Sequence, residues 1–428
     1  MKKALWLITA LIILFIVMVY WSLNTKPKTI ETSRLVNLHN IDSINFREYD
    51  SVLIEASTQY KSSELKNLMQ GEHYRKAWST PIKVPVVFLD TLYGGMTIVK
   101  EGGGKQTQSL KLLAASGIHY TLRSINKNPG PLIPELARTL GLENIVIDGI
   151  SAQHPYGAIV VAHLAESAGI LHSFPRVVFV PKQSTLGKYN DVYGNRLFLL
   201  EYETESTTNW TKYEDVTQII DTKDLQEFKN SHHAQLSIDK NALVRARLFD
   251  LVIGDWDRHA KQWGWVIQKQ GKNYKAIPLP VDRDNAFFNL GGIIPSMIAN
   301  KNVKPEMRPY HETIDYLPGL VQQFDVYFLQ DTPESVFVEE AEALKILLTD
   351  EVIDNALKQW QKPLFELDAK VISNKIKSRR DNLLEYAKGF KTVLDAKPLL
   401  TKPLNGSEDL QLPQDLRSCF GCTKAAIE

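Results

Sequence analysis

The sequence predicts an α+β fold in two parts, strand-rich first and mostly helical second, behind one N-terminal helix. Three observations carry this expectation. The chain opens MKKALWLITALIILFIVMVYWSLNTKPK, with a nearly unbroken apolar run from Ala4 to Leu23. Between Val84 and Glu203, short apolar runs alternate with turn residues, the pattern of strands. From Ser335 to Leu394 the apolar residues recur at helical spacing instead.

The opening run is about 20 residues long, enough to cross a bilayer's hydrocarbon core as a helix. No small-x-small cleavage site follows it cleanly, so residues 1–28 read as an uncleaved anchor and not as a secretory signal. Lys2 and Lys3 precede the run while Lys26 and Lys28 follow it, so the positive-inside count is nearly tied. The body is expected outside the cytoplasm, periplasmic or extracellular.

Residues 29–81 are mixed and polar and read as a tether with a helical lead-in ending near Trp78. Strands are then expected at 84–89, 96–100, 109–113, 119–125, in RVVFVP and at 196–203. PELARTLGL reads as a short helix behind Pro134, and 154–170 as a longer buried helix ending near Gly169. In the second half, Ser237 or Asp239 can cap the helix DKNALVRARLFDLVIGD. GWVIQKQGKNYKAIPLPVD reads as strand, turn at Gly271–Lys272–Asn273, and strand. The expected division is 82–202, 203–395 and an irregular tail at 396–428.

Composition excludes several classes. The formal net charge is +1, so no basic field points to a nucleic-acid partner. Cys419 and Cys422 are the only cysteines, which rules out a disulfide framework or a cysteine-rich zinc module and leaves one late disulfide open. Their CxxC spacing lacks the βαβ surroundings of a redox site. The ten histidines form no metal-binding spacing.

Chemistry concentrates in FDLVIGDWDRHAKQW and, one hairpin later, PVDRDNAF. Asp257 leaves the end of an apolar helix and Asp282 the end of an apolar strand, so the intervening hairpin can bring the two carboxylates together. Such a pair suits a hard cation carrying phosphates. One carboxylate holds the metal while the other faces an attacking hydroxyl. Aspartates at element ends also serve as caps and turn formers. Asp-Arg-His after a helix, joined to Asp-x-Asp-x-x-Phe after a hairpin, is more than turn preference produces.

DRHAKQ resembles the catalytic loop of atypical kinases: the Golgi secretory-pathway kinases, the HipA toxin kinases and the phosphatidylinositol kinases. VDRDNAF resembles their metal-binding segment, and GKNYKAIPLPVDRDNAF is also similar to the spore-coat CotH kinases. The layout of residues 82–290 follows the resemblance. It implies a two-lobed protein-kinase-like fold and transfer of a phosphoryl group from ATP, with Mg²⁺ or Mn²⁺, to a hydroxyl of a protein, glycan or lipid headgroup. Carried over by residue, Asp257 matches the catalytic aspartate and Asp282 the metal aspartate. Gln262 stands where HipA-like kinases place an Asn ligand, and Asp284 is a further metal candidate.

The first half then gains roles. In EGGGKQTQS, Gly102, Gly103, Gly104 and Lys105 would fold over phosphates. A glycine run between strands is also an ordinary turn, and this one matches neither a Walker A loop nor a dinucleotide fingerprint. Arg123, within a strand, and Lys127, at its end, would neutralise phosphate charge. The backbone of Glu201, Tyr202 and Glu203 would meet an adenine. One departure stands out: Ala158 falls where kinase-like helices carry a Glu to pair the strand cation. Glu135 and Asp148 are the substitute partners. Two rivals follow, a nucleotide- or partner-binding pseudokinase scaffold in envelope assembly and a metal-dependent phosphoesterase.

Overall fold

The computed structural model describes residues 1–23, 33–36, 40–104 and 106–422. Helix α1 (Lys2–Ser22) is unbroken and lies exposed along nearly all its length. It is the one helix among the described residues long and apolar enough to cross a membrane, a test that a signal sequence also passes.

Of the segment expected as tether and lead-in, the described residues fold into the body. Strands β1 (Arg34–Leu35), β2 (Ser51–Glu55) and β3 (Ile82–Pro85) form an antiparallel sheet in that order. Val52, Ile54, Ile82 and Val84 are buried at alternate positions, and Trp78 is buried with them. Helix α2 (Glu64–Gln70) is capped by Ser63, whose hydroxyl accepts from Lys66 N at 3.3 Å. The strand expected at 84–89 stops at Pro85 because the chain changes partners there. Val86 N donates to Asp50 O, and Val87 N donates to Phe179 O in the next sheet.

That sheet has five antiparallel strands, β4 (Met96–Gly102), β5 (Ser109–Ala114), β6 (His119–Ser124), β7 (Arg176–Val180) and β8 (Arg196–Tyr202), ordered β4-β5-β6-β8-β7. Between β6 and β7 lie α3 (Glu135–Thr139) and α4 (Gly157–Ser167). Helix α4 is shorter than the expected 154–170; it ends at Ser167, and the chain leaves it through Gly169, whose φ of 67° suits glycine.

The C-terminal part is helical: α5 (Thr222–His232), α6 (Lys240–Ile253), α7 (Ile293–Ile298), α8 (Gln323–Leu329), α9 (Glu334–Leu347), α10 (Asp350–Leu357), α11 (Lys370–Asp381) and α12 (Leu383–Asp395). Asp239 caps α6, accepting from Ala242 N at 3.0 Å. Into this part is set a sheet of β9 (Val216–Asp221), β10 (Leu236–Ile238), β11 (Trp263–Gln270) and β12 (Asn273–Pro280), ordered β10-β12-β11-β9. The β11–β12 hairpin turns at Gly271 and Lys272. Trp263 and Trp265 are fully buried, the first stacked on Phe324 with centroids 4.7 Å apart. The tail is irregular up to a short helix at Gln414–Ser418, yet it packs on the body. Leu404, Leu412 and Phe420 are buried, and the Tyr327 hydroxyl donates to Leu416 O at 2.6 Å. Cys419 and Cys422 are joined in a disulfide.

Candidate functional site

The site begins with strand register. Gly102 pairs with Ser109, Ser109 with Arg123, and Arg123 with Leu199, so the glycine connection and Arg123 lie on one rung across four strands. A side chain at Gly103 would strike Thr107 O at 2.2 Å, and its φ is 112°, so the bend demands glycine. Gly104 faces open space. Lys105 lies outside the described residues. Beyond the bend, Gln106 O accepts from Asn128 N at 2.7 Å, tying the connection to the segment that carries Lys127.

The hairpin delivers the carboxylates. Helix α6 ends at Gly254, in the left-handed region at φ 70°, where a Cβ would lie 2.2 Å from the Tyr310 ring. The chain then turns through Asp255, Trp256 and Asp257 into β11. After β12 comes Asp282, itself left-handed at φ 56°, a conformation that aspartate tolerates better than most residues. Arg123 Nη1 meets Asp282 Oδ2 at 2.9 Å, and Lys127 Nζ pairs with Asp284 Oδ2. The cations of the first half thus sit directly on the two carboxylates of the second. Asp257 is partly exposed, and His259 Nε2 stands 3.7 Å from its Oδ1.

Electrostatics follow from this crowding. Burial opposes ionisation of Asp282, but Arg123 and Lys127 prevail and hold it below the usual carboxylate range. Burial pushes Asp284 up to about 6, with Asp282 adding to the rise and Lys127 opposing it. Burial also raises Asp257; His259 pulls it down and Asp282 adds to the rise. Glu201 lies two rungs from Arg123 on the same face, opposite Thr121. Burial carries its carboxyl up to about 7 against the pull of Arg123.

Three of the expected positions make other contacts in the structure. Tyr202 N donates to Ser173 O at 2.9 Å and Glu203 N donates to His119 O at 3.0 Å, so these N–H groups are already engaged. Their side chains are engaged as well. Glu201 faces Arg123, Glu203 accepts from the Thr121 hydroxyl and meets Lys111 at 3.4 Å, and Tyr202 stacks on Trp210. Asp148 does not reach Arg123, because it pairs with Lys66 and Arg75. Gln262 is held through its carbonyl, which accepts from Arg258 and from Val281 N, and its amide joins none of the site's hydrogen bonds among the described residues.

No family model matches the chain, and no curated protein matches it. Two solved structures are similar in outline. One is the Helicobacter pylori proinflammatory kinase CtkA, with 14% identity and a TM-score of 0.37, covering 69% of this chain and 96% of that one. The other is HipA of Shewanella oneidensis MR-1, from a toxin–antitoxin complex with HipB and operator DNA. It has 12% identity and a TM-score of 0.33, covering 69% of this chain and 67% of that one.

Sequence reasoning missed the frame around the carboxylates. Arg258 is fully buried; it meets Asp250 at 3.2 Å and Asp255 at 3.4 Å and donates to Val281 O at 2.8 Å. Arg283 donates to Asp250 at 3.0 Å, and Arg247 joins Asp250 to Asp325. Asp282 is therefore flanked by two residues braced to the same buried aspartate. The polarity of DWDRH and DRDN hid this, because such strings ordinarily mark solvated turns. Gln153, which donates to Asn285 at 2.6 Å, and Lys111 were also missed.

Behind Asp282 lies a small cavity of about 20 Å³, lined by Glu201, His172 and, from α4, Ala158, Val161 and Ala162. A larger groove of about 490 Å³ opens at His259, lined also by Gln322, Gln323, Lys397 and Asn405. Among the described residues, no group of three or more His, Cys, Asp or Glu is preassembled for a metal.

Proposed function

We propose that this chain is an ATP- and divalent-cation-dependent phosphotransferase of kinase-like build, with lobes at 82–202 and 203–395, acting on a hydroxyl at a membrane. The observation that carries this reading is the pairing of Arg123, on the rung of the glycine connection, with Asp282 and of Lys127, beyond the end of β6, with Asp284. Cations suited to phosphate oxygens stand against carboxylates suited to a hard metal. Two buried atoms lack partners there, Asp282 Oδ1 and Arg123 Nε, which fits a site that receives a ligand.

In this reading Asp282 and Asp284 hold Mg²⁺ or Mn²⁺, which when bound neutralises charge on the phosphates. Arg123 and Lys127 bind phosphate oxygens, and the backbone of Gly102, Gly103 and Gly104 covers them. Asp257 orients the acceptor hydroxyl and takes its proton, a role that its raised pKa suits. The acceptor of a protein, glycan or lipid headgroup enters by the groove at His259.

A second reading, a nucleotide-binding scaffold without transfer, draws on Ala158 and on the engaged N–H groups of Tyr202 and Glu203. Labelled ATP with Mg²⁺ or Mn²⁺ separates the two by autophosphorylation of the purified chain. Asp282→Asn should weaken metal-dependent nucleotide binding. Asp257→Asn should keep binding and lower transfer on the order of 10²-fold or more. Binding without transfer by the parent favours the scaffold, and two variants indistinguishable from the parent remove the site altogether.

A further inference from the structure

Helix α1 does not end in free chain. Ser22, its last residue, is buried, and Gln70 at the end of α2 donates through Nε2 to both Ser22 O and Ser22 Oγ at 3.0 Å. From the preceding turn, the Tyr20 hydroxyl donates to Leu140 O at 2.9 Å, just past the end of α3. Helix α2 in turn meets α7. Gly71 and Gly292 approach so closely that a Cβ at Gly292 would lie 2.2 Å from Gly71 N, and His73 Nε2 stands 3.3 Å from Gly291 O. Three short elements are thus fastened around one end of α1.

Each of them exposes large apolar side chains. Around α3 these are Leu132, in the turn before it, and Leu136 and Leu140, four apart and so on one side of the helix. On α7 they are Ile293, Met297 and Ile298, and on α2 Leu68. Leu136 is 70% exposed and Met297 59%. Apolar side chains clustered in this way on a water-facing surface mark a contact. Tyr20 and Trp21 close α1 with the aromatic pair typical of the headgroup level, and the Tyr20 bond puts Leu140 at that level. Lys301 and Lys304, just after α7, are exposed where anionic headgroups would lie.

We infer that α3, α7 and the exposed side of α2 form a lipid-contacting surface, which seats the body on the same bilayer that α1 crosses. The inference rests on α1 being a retained membrane span. Its occupant is the bilayer interface, because the surface is continuous with the end of that span and combines apolar side chains with flanking lysines, the make-up of interfacial helices.

Spin labels on the full chain in phosphatidylcholine–phosphatidylglycerol vesicles test it. Single cysteines replace Leu136, Met297, Ile12 in α1, or Ile346, an exposed apolar residue on α9; the native Cys419 and Cys422 are occupied with each other. Collision with oxygen reports lipid, and collision with a water-soluble nickel chelate reports solvent. Leu136→Cys and Met297→Cys should favour oxygen as Ile12→Cys does, while Ile346→Cys favours nickel. If the labels at 136 and 297 match the one at 346 while the one at 12 reads lipid, the anchor reading stands and this surface does not. Shielding of 136 and 297 from both reagents means that a protein covers the face, which also overturns the proposal. A solvent-exposed label at 12 removes the anchor and the surface together.

Discussion

Replacing Arg258 by Met asks whether the buried charges brace the candidate site. Methionine keeps an apolar stem against Trp263, over whose ring the guanidinium sits at 4.8 Å, but removes every N–H donor. Stripping one partner from a buried ion pair costs about 3–5 kcal/mol, because a charge is left uncompensated. Here the loss should fall near the low end, about 3 kcal/mol. Asp250 keeps Arg247 and Arg283. Burial already holds the Asp255 carboxyl well above its usual range, so it can take up a proton when Arg258 is gone. Against a total stability on the order of 5–15 kcal/mol the variant still folds, with a clearly lower unfolding midpoint. Val281 O loses its donor as well, one residue before Asp282, so Mn²⁺-dependent nucleotide binding should weaken in parallel. Urea unfolding followed by tryptophan fluorescence, set beside calorimetry with Mn²⁺ and ATP, reads both. A loss under about 1 kcal/mol with unchanged binding would refute the bracing argument.

Arg123→Ala should weaken ATP binding more than Lys127→Ala, because Arg123 sits within β6 on the rung of the glycine connection; two unchanged affinities by calorimetry would exclude this strand from the site. Mn²⁺ binding should strengthen as pH rises through about 6, where Asp284 ionises. Asp284→Asn should flatten that profile, and a parent protein with no pH dependence there contradicts the assignment. Glu201 titrates at about 7 in the folded chain, against roughly 4.3 when unfolded. Between those values the folded state holds the extra proton, so its contribution to stability is full below the unfolded pKa and falls as pH rises to about 7. Glu201→Gln has no proton to lose and should gain on the order of 3 kcal/mol over the parent at about pH 8. Unfolding midpoints that track the parent from acid to alkaline pH would rule this out.

The sequence was most legible where one local rule decided the outcome. Alternating apolar residues and a glycine turn revealed β11 and β12, and Asp239 announced the start of α6. Asp257 and Asp282 could be singled out because they end apolar elements in a pattern that turns alone do not produce, and Asp284 only through the resemblance to the CotH kinases. A helix does end at Trp78, as the lead-in required, but the strand Ser51–Glu55 ahead of it was hidden because it is short and its inward positions, Val52 and Ile54, are diluted by polar neighbours. The engaged N–H groups of Tyr202 and Glu203 depend on Ser173 and His119, contributed by other parts of the chain. The Arg258–Asp250–Arg283 frame is equally non-local, since it forms only where α6, the Asp257 turn and the end of β12 converge. Charged residues so placed look like surface until the third element arrives.

Arg123 and Asp282 neutralise each other. Ala158 offers no carboxylate that could hold the guanidinium independently. On the proposed reading, a divalent cation arriving alone would have to displace Arg123 from Asp282, and a polyphosphate arriving alone would have to draw Arg123 away and leave Asp282 bare. Each makes room for the other, so the affinity of one rises with occupancy by the other, and by the same factor in both directions. If the proposed function holds, such a cleft discriminates by charge balance: it would respond weakly to free nucleotide and to free metal, and strongly to the two together.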